Sequence, residues 1–200
     1  MTNSFLVSAI ILAGGVSRRM NKKNKLIADV NGTPMVNQTV NSVKKSNAIE
    51  TIVVTGYESE LIQKVLSKYS VKFVNNPNYR NGLSSSLICG IKAVSRKSAG
   101  AIVILGDMPW VNFKTLNTLI DHFNLKNGKT ICVPIFKGLI GNPRIWPRIL
   151  FPAIKNIRGD IGAKKLIDQY SENVSRIEVN DAAIHMDINN ADDLKFIPNQ

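Results

Sequence analysis

The sequence predicts an α/β fold in which a mainly parallel central sheet is covered by helices on both faces. Short apolar runs of strand length alternate along the chain with segments whose apolar residues recur at helical spacing. Several of these runs are apolar at successive positions, which is typical of strands buried on both faces. No proline-rich or glycine–serine linker divides the 200 residues, so we expect one domain with a sizeable core.

Seven apolar runs are predicted to be strands. The run 101–105 is the most hydrophobic and is expected at the centre of the sheet, whereas 71–74 is expected near an edge. In chain order the predicted strands are 5–12, 52–54, 71–74, 101–105, 130–134, 175–179 and 184–187.

Six segments between these strands are predicted to be helices. The first starts at Thr33–Pro34, because proline is favoured in the first turn of a helix. Ser84, Ser85 and Ser86 are predicted to form the N-cap region of the third. The helices are predicted from 33 to about 43, over 59–69, beyond 86, and over 112–123, 147–154 and 162–170; the stretch 138–143 is predicted to be irregular.

A glycine turn directly after the first strand is the most informative local feature. Gly14 and Gly15 allow a close backbone approach that a Cβ would prevent, so their N–H groups can face a phosphate chain. Five cations and no acid follow within ten residues: Arg18, Arg19, Lys22, Lys23 and Lys25. The pattern predicts a polyphosphate ligand. The alternative is a tight strand-to-helix turn beside a solvated basic face.

This turn differs from the two commonest phosphate loops. The sequence contains neither G-x-x-x-x-G-K-[ST] nor a G-x-G-x-x-G after the first strand, so a P-loop and a dinucleotide fingerprint are both excluded.

Charge and composition narrow the class of partner. The net charge of +12 fits nucleic acid, an anionic membrane or an anionic small molecule. Aromatic residues are few and the densest basic cluster lies in the glycine loop, so a small anionic substrate is favoured.

Cys89 and Cys132 lie in apolar contexts and are interpreted as buried thiols. Without a signal peptide or a bilayer-length apolar run, a soluble, cytoplasmic protein is expected.

Asp107 is the principal candidate for a metal ligand. It follows the strand 101–105, and no acidic residue occurs between positions 61 and 106. Ligands of such sheets bind outside the carboxyl ends of the strands, where Asp107 and the glycine turn can share one crevice. A carboxylate facing a triphosphate favours a bridging Mg²⁺. Asp187 is the second candidate, with Asp192 and Asp193 left open, and a turn-capping role for Asp107 is the competing interpretation.

A resemblance to a known family covers almost the whole chain. The motifs that carry it are L-A-G-G-x-S-x-R-M-x4-K at 12–25, G-L-S-S-S-L at 82–87 with Gly90, L-G-D-M-P at 105–109, G-N-P at 141–143, G-D-I-G-A at 159–163, and M-D-I-N at 186–189 with Asp192. In this order they resemble the molybdenum cofactor nucleotidyltransferases, particularly the cytidylyltransferase branch. The resemblance implies a single-domain, three-layer, Rossmann-like nucleotidyltransferase fold over residues 1–200.

The resemblance also implies a reaction and roles for residues. CMP would pass from CTP to the terminal phosphate of the molybdopterin cofactor with Mg²⁺ present and pyrophosphate released, and the product would serve a recipient molybdoenzyme. The implied catalytic residues are Arg19, Lys25 and Asp107, with Asp107 and Asp187 holding the metal. The implied nucleotide-binding residues are Leu12, Ala13, Gly14, Gly15, Arg18, Ser84 and Ser86. The implied acceptor-binding residues are Gly141, Asn142, Pro143, Gly159 and Asp160.

Several alternatives remain open at this point. The string Leu12–Gly15 is the form found in guanylyltransferases, so GTP is the alternative nucleotide. Nucleotidyl transfer to a sugar phosphate or another small phosphate would use the same scaffold. Outside catalysis, the alternatives are a nucleotide-binding cofactor chaperone and a nucleic-acid-binding module based on the positive charge.

Overall fold

One sheet of eight strands organises the part of the chain that the structure describes. The structure is a computed structural model that describes residues 4–16, 24–159 and 163–188. The strands are β1 (Val7–Ala13), β2 (Asp29–Val30), β3 (Thr33–Pro34), β4 (Thr51–Thr55), β5 (Lys72–Asn75), β6 (Gly100–Leu105), β7 (Ile131–Phe136), β8 (Leu139–Ile140), β9 (Arg144–Pro147) and β10 (Val174–Glu178). The helices are α1 (Met35–Lys44), α2 (Ser59–Val65), α3 (Leu83–Ala93), α4 (Phe113–Leu125), α5 (Phe151–Lys155) and α6 (Lys164–Gln169).

The sheet is mainly parallel, as the sequence predicted. Its order is β10-β7-β9-β6-β1-β4-β5, with β8 paired to β7, while β2 and β3 form a separate two-stranded ribbon. The pairs β1–β4, β1–β6, β4–β5 and β7–β10 are parallel. The strand β9 is antiparallel to both β6 and β7. The central position of β6 and the edge position of β5 are both confirmed.

Two hydrophobic cores cover the two faces of this sheet. Alternate residues of β1 point to opposite sides: Ala9 and Ile11 pack with α1, α2 and α4, whereas Ile10 and Leu12 pack with α3, α5 and α6. The helix α3 lies close to the sheet at Gly90, where an added Cβ would be 2.5 Å from Ile10 Cγ2. This close approach holds the N-terminal turn of α3 near the carboxyl end of β1.

Several local predictions were wrong. Thr33 and Pro34 pair with β2, and α1 begins at Met35 because Pro34 has an extended ψ of 135°. The helix α3 begins at Leu83 after Gly82, so the serines at 84–86 lie inside its first turn and do not cap it. The predicted helix 59–69 ends earlier, at Val65.

Another wrong prediction is the strand 184–187. The structure forms a 3-10 helix over Ala182–His185, whose first turn is capped when the Asp181 carboxylate accepts a hydrogen bond from Ala183 N at 3.0 Å. A side chain that bonds the local backbone in this way competes with strand formation. The strand β9 was not predicted. It ends at Pro147, so the helix predicted over 147–154 begins later, at Phe151.

None of the helices in the described ranges is both long enough and apolar enough to cross a membrane.

Candidate active site

The carboxyl ends of β1 and β6 lie side by side and define the candidate site. The two strands are parallel, with Leu12 opposite Leu105. The Gly106 N–H donates to the Leu12 carbonyl at 2.9 Å, which extends the pairing one step beyond β6. The glycine turn and Asp107 therefore leave the sheet at the same edge, although they are far apart in sequence.

Lys25 connects this edge to the last described segment. Its ammonium forms an ion pair with Asp107 Oδ2 and donates a hydrogen bond to the Ile188 carbonyl at 2.9 Å. Both side chains are largely buried, with 18% of Lys25 and 13% of Asp107 exposed. Lys25 begins a 3-10 helix, Lys25–Ile27, capped by the buried Asn24, whose Oδ1 accepts from Leu26 N at 3.1 Å. The ammonium is thus held by a fixed backbone.

The second carboxylate lies on the segment adjacent to Asp107. The Ile188 N–H donates to the Asp107 carbonyl at 3.1 Å, which fixes Asp187 on the neighbouring chain segment. Asp187 is exposed and lines a cavity together with Met108, the residue after Asp107. The structure therefore brings Lys25, Asp107 and Asp187 to one place.

The donor set fits a magnesium ion. Asp107 Oδ1 is buried and has no hydrogen-bond partner among the described residues. No group of three or more His, Cys, Asp or Glu side chains suited to a metal occurs in the described ranges. Mg²⁺ characteristically takes one or two carboxylates and fills its remaining positions with phosphate oxygens and water. Asp107 and Asp187 match that pattern better than they match an all-protein metal cage.

The glycine turn is packed between the helix α3 and the loop after β4 at this edge. Gly14 is buried; a Cβ at this position would lie 3.3 Å from Ser86 Oγ, and its carbonyl accepts from Tyr57 N at 3.3 Å. Gly15 is exposed, and nothing lies within 4 Å of the position its Cβ would take. Leu12 and Ala13 are buried at the end of β1. Arg18 and Arg19 lie outside the described residues.

The two predicted serines lie in the first turn of α3, and Ser86 is the one next to the glycine turn. Ser84 and Ser86 are 3% and 6% exposed, so both hydroxyls lie inside the site wall and not on the surface. Ser86 Oγ accepts from Asn76 Nδ2 at 3.0 Å, and the same amide donates to Ser85 Oγ at 2.8 Å. The Asn76 backbone N–H in turn donates to the Thr55 carbonyl at 2.8 Å. Asn76 is thus a positioning residue that the sequence analysis missed.

A cavity of about 250 Å³ opens beside Asp187. Its lining combines apolar and polar side chains: Leu105, Met108, Ile140, Gly141, Asn142, Ile184, His185 and Asp187. The Asn142 N–H donates to the Ile184 carbonyl at 2.9 Å, which joins the 141–143 segment to the 3-10 helix before Asp187. The cavity thus offers both polar groups and apolar surface to a small molecule.

The predicted acceptor residues fall into two places. Gly141 and Asn142 line this cavity, and Pro143 is buried next to them. Gly159 is instead at α3, where its carbonyl accepts from Ser84 N at 3.4 Å. Asp160 lies outside the described residues. His185, which the sequence analysis did not assign to the site, lines the cavity and places Nε2 3.1 Å from the Leu139 carbonyl.

Comparison with known proteins identifies the family. Residues 9–174 match the model of the MobA-like NTP transferase domain. The chain is 28% identical over 191 residues to the molybdenum cofactor cytidylyltransferase of Escherichia coli, covering 94% of this chain and 93% of that protein. It is 29% identical over 141 residues to the bifunctional protein GlmU of Thermosipho africanus, covering 70% of this chain and 30% of that protein.

A solved structure agrees over nearly the full length. The homologue of Mycobacterium tuberculosis rv0371c from Mycobacterium sp. strain JC1 superposes with a TM-score of 0.83 at 25% identity, covering 94% of this chain and 93% of that one. The fold is that of a nucleotidyltransferase domain. The chain belongs to the family of MobA-like NTP transferase domains.

Proposed function

We propose that this protein transfers CMP from CTP to the terminal phosphate of the molybdopterin cofactor, with Mg²⁺ bound, and releases pyrophosphate. The observation that carries the proposal is the Lys25–Asp107 pair, which stands between the glycine turn on one side and the Asp187 cavity on the other. A group transfer between two phosphates needs a cation and a metal-binding carboxylate between two binding places.

The glycine turn is proposed to hold the triphosphate. Backbone groups of Leu12, Ala13, Gly14 and Gly15 would face the nucleotide, and Gly15 has open space above it. Arg18, Arg19 and Lys25 would neutralise the phosphate charge, because N–H groups and cations at a strand end favour anions. Ser84 and Ser86 would contact the base or ribose from the first turn of α3.

The cavity beside Asp187 is proposed to hold the acceptor. Gly141 and Asn142 line it and Pro143 is buried beside them, and Gly159 and Asp160 are proposed as further acceptor contacts. The apolar side chains of Met108, Ile140 and Ile184 suit a flat heterocycle, and Asn142 offers both a donor and an acceptor.

Asp107 and Asp187 would hold the magnesium ion. When bound, the ion offsets the negative charge of the phosphates and so lowers the electrostatic cost of bringing two of them together. Lys25 keeps one Asp107 oxygen in a fixed direction and leaves Oδ1 for another partner.

The chemistry needs alignment more than proton transfer. An oxygen of the acceptor phosphate attacks the α-phosphorus of CTP, a new P–O bond forms, and the bond to the β-phosphate breaks as pyrophosphate leaves. The attacking oxygen is already ionised, so no general base has to remove a proton. Catalysis then rests on orientation and charge neutralisation. That agrees with a site whose described residues supply a lysine and carboxylates and whose one histidine, His185, bonds a backbone carbonyl.

The extent of the matches favours this reaction over transfer to a sugar phosphate. The cytidylyltransferase of E. coli and this chain cover each other almost completely, whereas the chain spans 30% of the GlmU protein it matches. We accordingly propose that residues 1–200 act as one NTP-transferase domain that hands its product to a recipient molybdoenzyme in the cytoplasm. GTP in place of CTP is the alternative nucleotide.

The proposal is tested by assaying purified protein with molybdopterin cofactor, Mg²⁺ and each nucleoside triphosphate in turn. With CTP, we expect one pyrophosphate to be released for each molecule of a new cytidine dinucleotide product. Product with GTP alone would assign the guanylyl reaction. Pyrophosphate release that requires a sugar phosphate as acceptor would overturn the proposed acceptor.

A further inference from the structure

Arg144 is a half-buried arginine that contacts the wall of the proposed acceptor cavity from behind Gly141. It is the first residue of β9 and lies opposite Val103 of β6. Its Nε donates to the Gly141 carbonyl at 3.0 Å, and Gly141 lines the cavity. That bond turns the guanidinium toward the carboxyl edge of the sheet.

The guanidinium has no acidic partner in the described part of the chain. Among residues 4–16, 24–159 and 163–188, the structure shows an ion pair between Lys25 and Asp107, and Arg144 takes part in none. Burial lowers the pKa of Arg144, because a charged group loses solvation there. A poorly solvated charge with no counter-charge is costly to a protein. Arginines in such positions commonly serve to bind an anion.

The strand order separates Arg144 from the triphosphate. The strand β6 lies between β1 and β9, so the glycine turn is on one side of Asp107 and Arg144 on the other. Leu105 is the last residue of β6. Val103 comes two residues before it, so the two Cα atoms are about 7 Å apart along the strand. Leu105 lines the cavity and lies on the same sheet face as Val103. An arginine side chain can span that distance.

We propose that Arg144 binds the phosphate monoester of the acceptor in the cavity beside Asp187. The inference rests on the proposed function and names the residue that recognises the acceptor's charged end. The guanidinium N–H groups other than Nε form a planar fork that matches two phosphate oxygens. In this arrangement the two reacting phosphates approach Asp107 from opposite sides, the nucleotide over β1 and the acceptor over β9.

The first test measures steady-state transfer by the variant Arg144→Gln. We expect the KM for the molybdopterin acceptor to rise about tenfold or more, while the KM for the nucleotide stays within about twofold. The matched control is Arg176→Gln, an exposed arginine on β10, which should leave both values unchanged. A rise in the nucleotide KM equal to that of the acceptor would overturn the assignment, because Arg144 would then serve the triphosphate or the fold.

A second variant separates binding from folding. Arg144→Met removes the charge but keeps much of the volume, so the melting temperature should stay the same or rise. We expect this variant to lose acceptor affinity as Arg144→Gln does. A stable Arg144→Met protein with a normal acceptor KM would contradict the proposal.

A third measurement uses inorganic phosphate as the probe and does not depend on the acceptor's identity. With saturating nucleotide present, phosphate should raise the melting temperature of the wild-type protein and of Arg176→Gln, but not of Arg144→Gln. If wild type transfers nothing to molybdopterin yet shows this difference, the phosphate site stands and the proposed acceptor is wrong. An equal phosphate response in wild type and Arg144→Gln would overturn the phosphate site whether or not transfer occurs.

Discussion

Lys25 and Asp107 are 82 positions apart in the sequence, yet the Lys25 ammonium is ion-paired with Asp107 Oδ2 at the carboxyl edge of the sheet. The same ammonium donates to the Ile188 carbonyl, so one side chain joins three segments of the chain. The pair lies beside the β1 turn that would carry phosphates and beside the cavity that would receive an acceptor. It is the feature on which the proposed reaction depends.

Replacing Lys25 by alanine should cut turnover by roughly 100-fold, because a buried charge-neutralising contact to the phosphates is lost. The measurement is pyrophosphate release at saturating substrates. Lys114→Ala, which removes an exposed lysine from α4, is the matched control and should retain activity. Near-normal turnover in Lys25→Ala would remove Lys25 from the catalytic residues.

Replacing Asp107 by alanine should also reduce turnover by roughly 100-fold, and Asp107→Asn should raise the Mg²⁺ concentration needed for half-maximal rate. The amide keeps the shape of the side chain but loses the charge that attracts the ion. The measurement is a magnesium titration of the rate. Asp121→Asn, an exposed carboxylate on α4, should titrate as wild type does. An unchanged titration in Asp107→Asn would place the ion elsewhere.

Asn76→Ala should destabilise the protein by about 1–3 kcal/mol and raise the KM for nucleotide, because the buried Ser86 hydroxyl and the half-buried Ser85 hydroxyl lose their amide partner. The measurements are chemical denaturation and steady-state kinetics. Asn78→Ala is the control, since the Asn78 side chain is exposed and bonds through its backbone. If the two variants behaved alike, Asn76 would have no role in positioning α3.

Cys132 should make stability fall at high pH. Burial raises the pKa of its thiol to about 11, from an ordinary value of 9.0. Between these values the unfolded chain has released this proton and the folded chain has not, so the free energy of unfolding falls as pH rises. We expect a loss of up to about 1.4 kcal/mol per pH unit from this group. The measurement compares denaturation of wild type and Cys132→Ala from pH 8 to 11.

The control for this comparison is Cys89→Ala, because Cys89 is partly exposed. Its stability should fall with pH as steeply as that of wild type. If Cys132→Ala loses stability with pH just as wild type does, the thiol does not contribute, and other groups account for the decline.

Much of this fold can be predicted from the sequence, because its central strands are buried on both faces and therefore appear as uninterrupted apolar runs. Residues 9–13 of β1 and 101–105 of β6 are apolar at successive positions, which is typical of strands buried on both faces. Secondary structure is harder to predict from the sequence where a side-chain hydrogen bond determines the local backbone conformation. Asp181 bonds Ala183 N and converts an apolar run into a 3-10 helix, and no periodicity shows this in advance.

Some residues of the candidate site could likewise be predicted from the sequence, and others could not. Gly14 and Asp107 could be placed together because both follow parallel strands. Asn76 could not, since its role depends on hydroxyls ten residues away that α3 carries toward it. Arg144 is also missed, because its proposed role depends on the antiparallel insertion of β9 beside β6, which brings its side chain to the Gly141 carbonyl.

The most direct test of the central claim is thermal stabilisation by CTP, GTP, ATP and UTP, each with and without Mg²⁺, on wild type and Asp107→Asn. Ligand at about 100 times its dissociation constant adds roughly 2.7 kcal/mol to the free energy of unfolding. The account predicts a shift that is largest for CTP with Mg²⁺ and that needs a higher Mg²⁺ concentration in Asp107→Asn. No shift with any nucleotide, or an equal magnesium effect in both proteins, would contradict it.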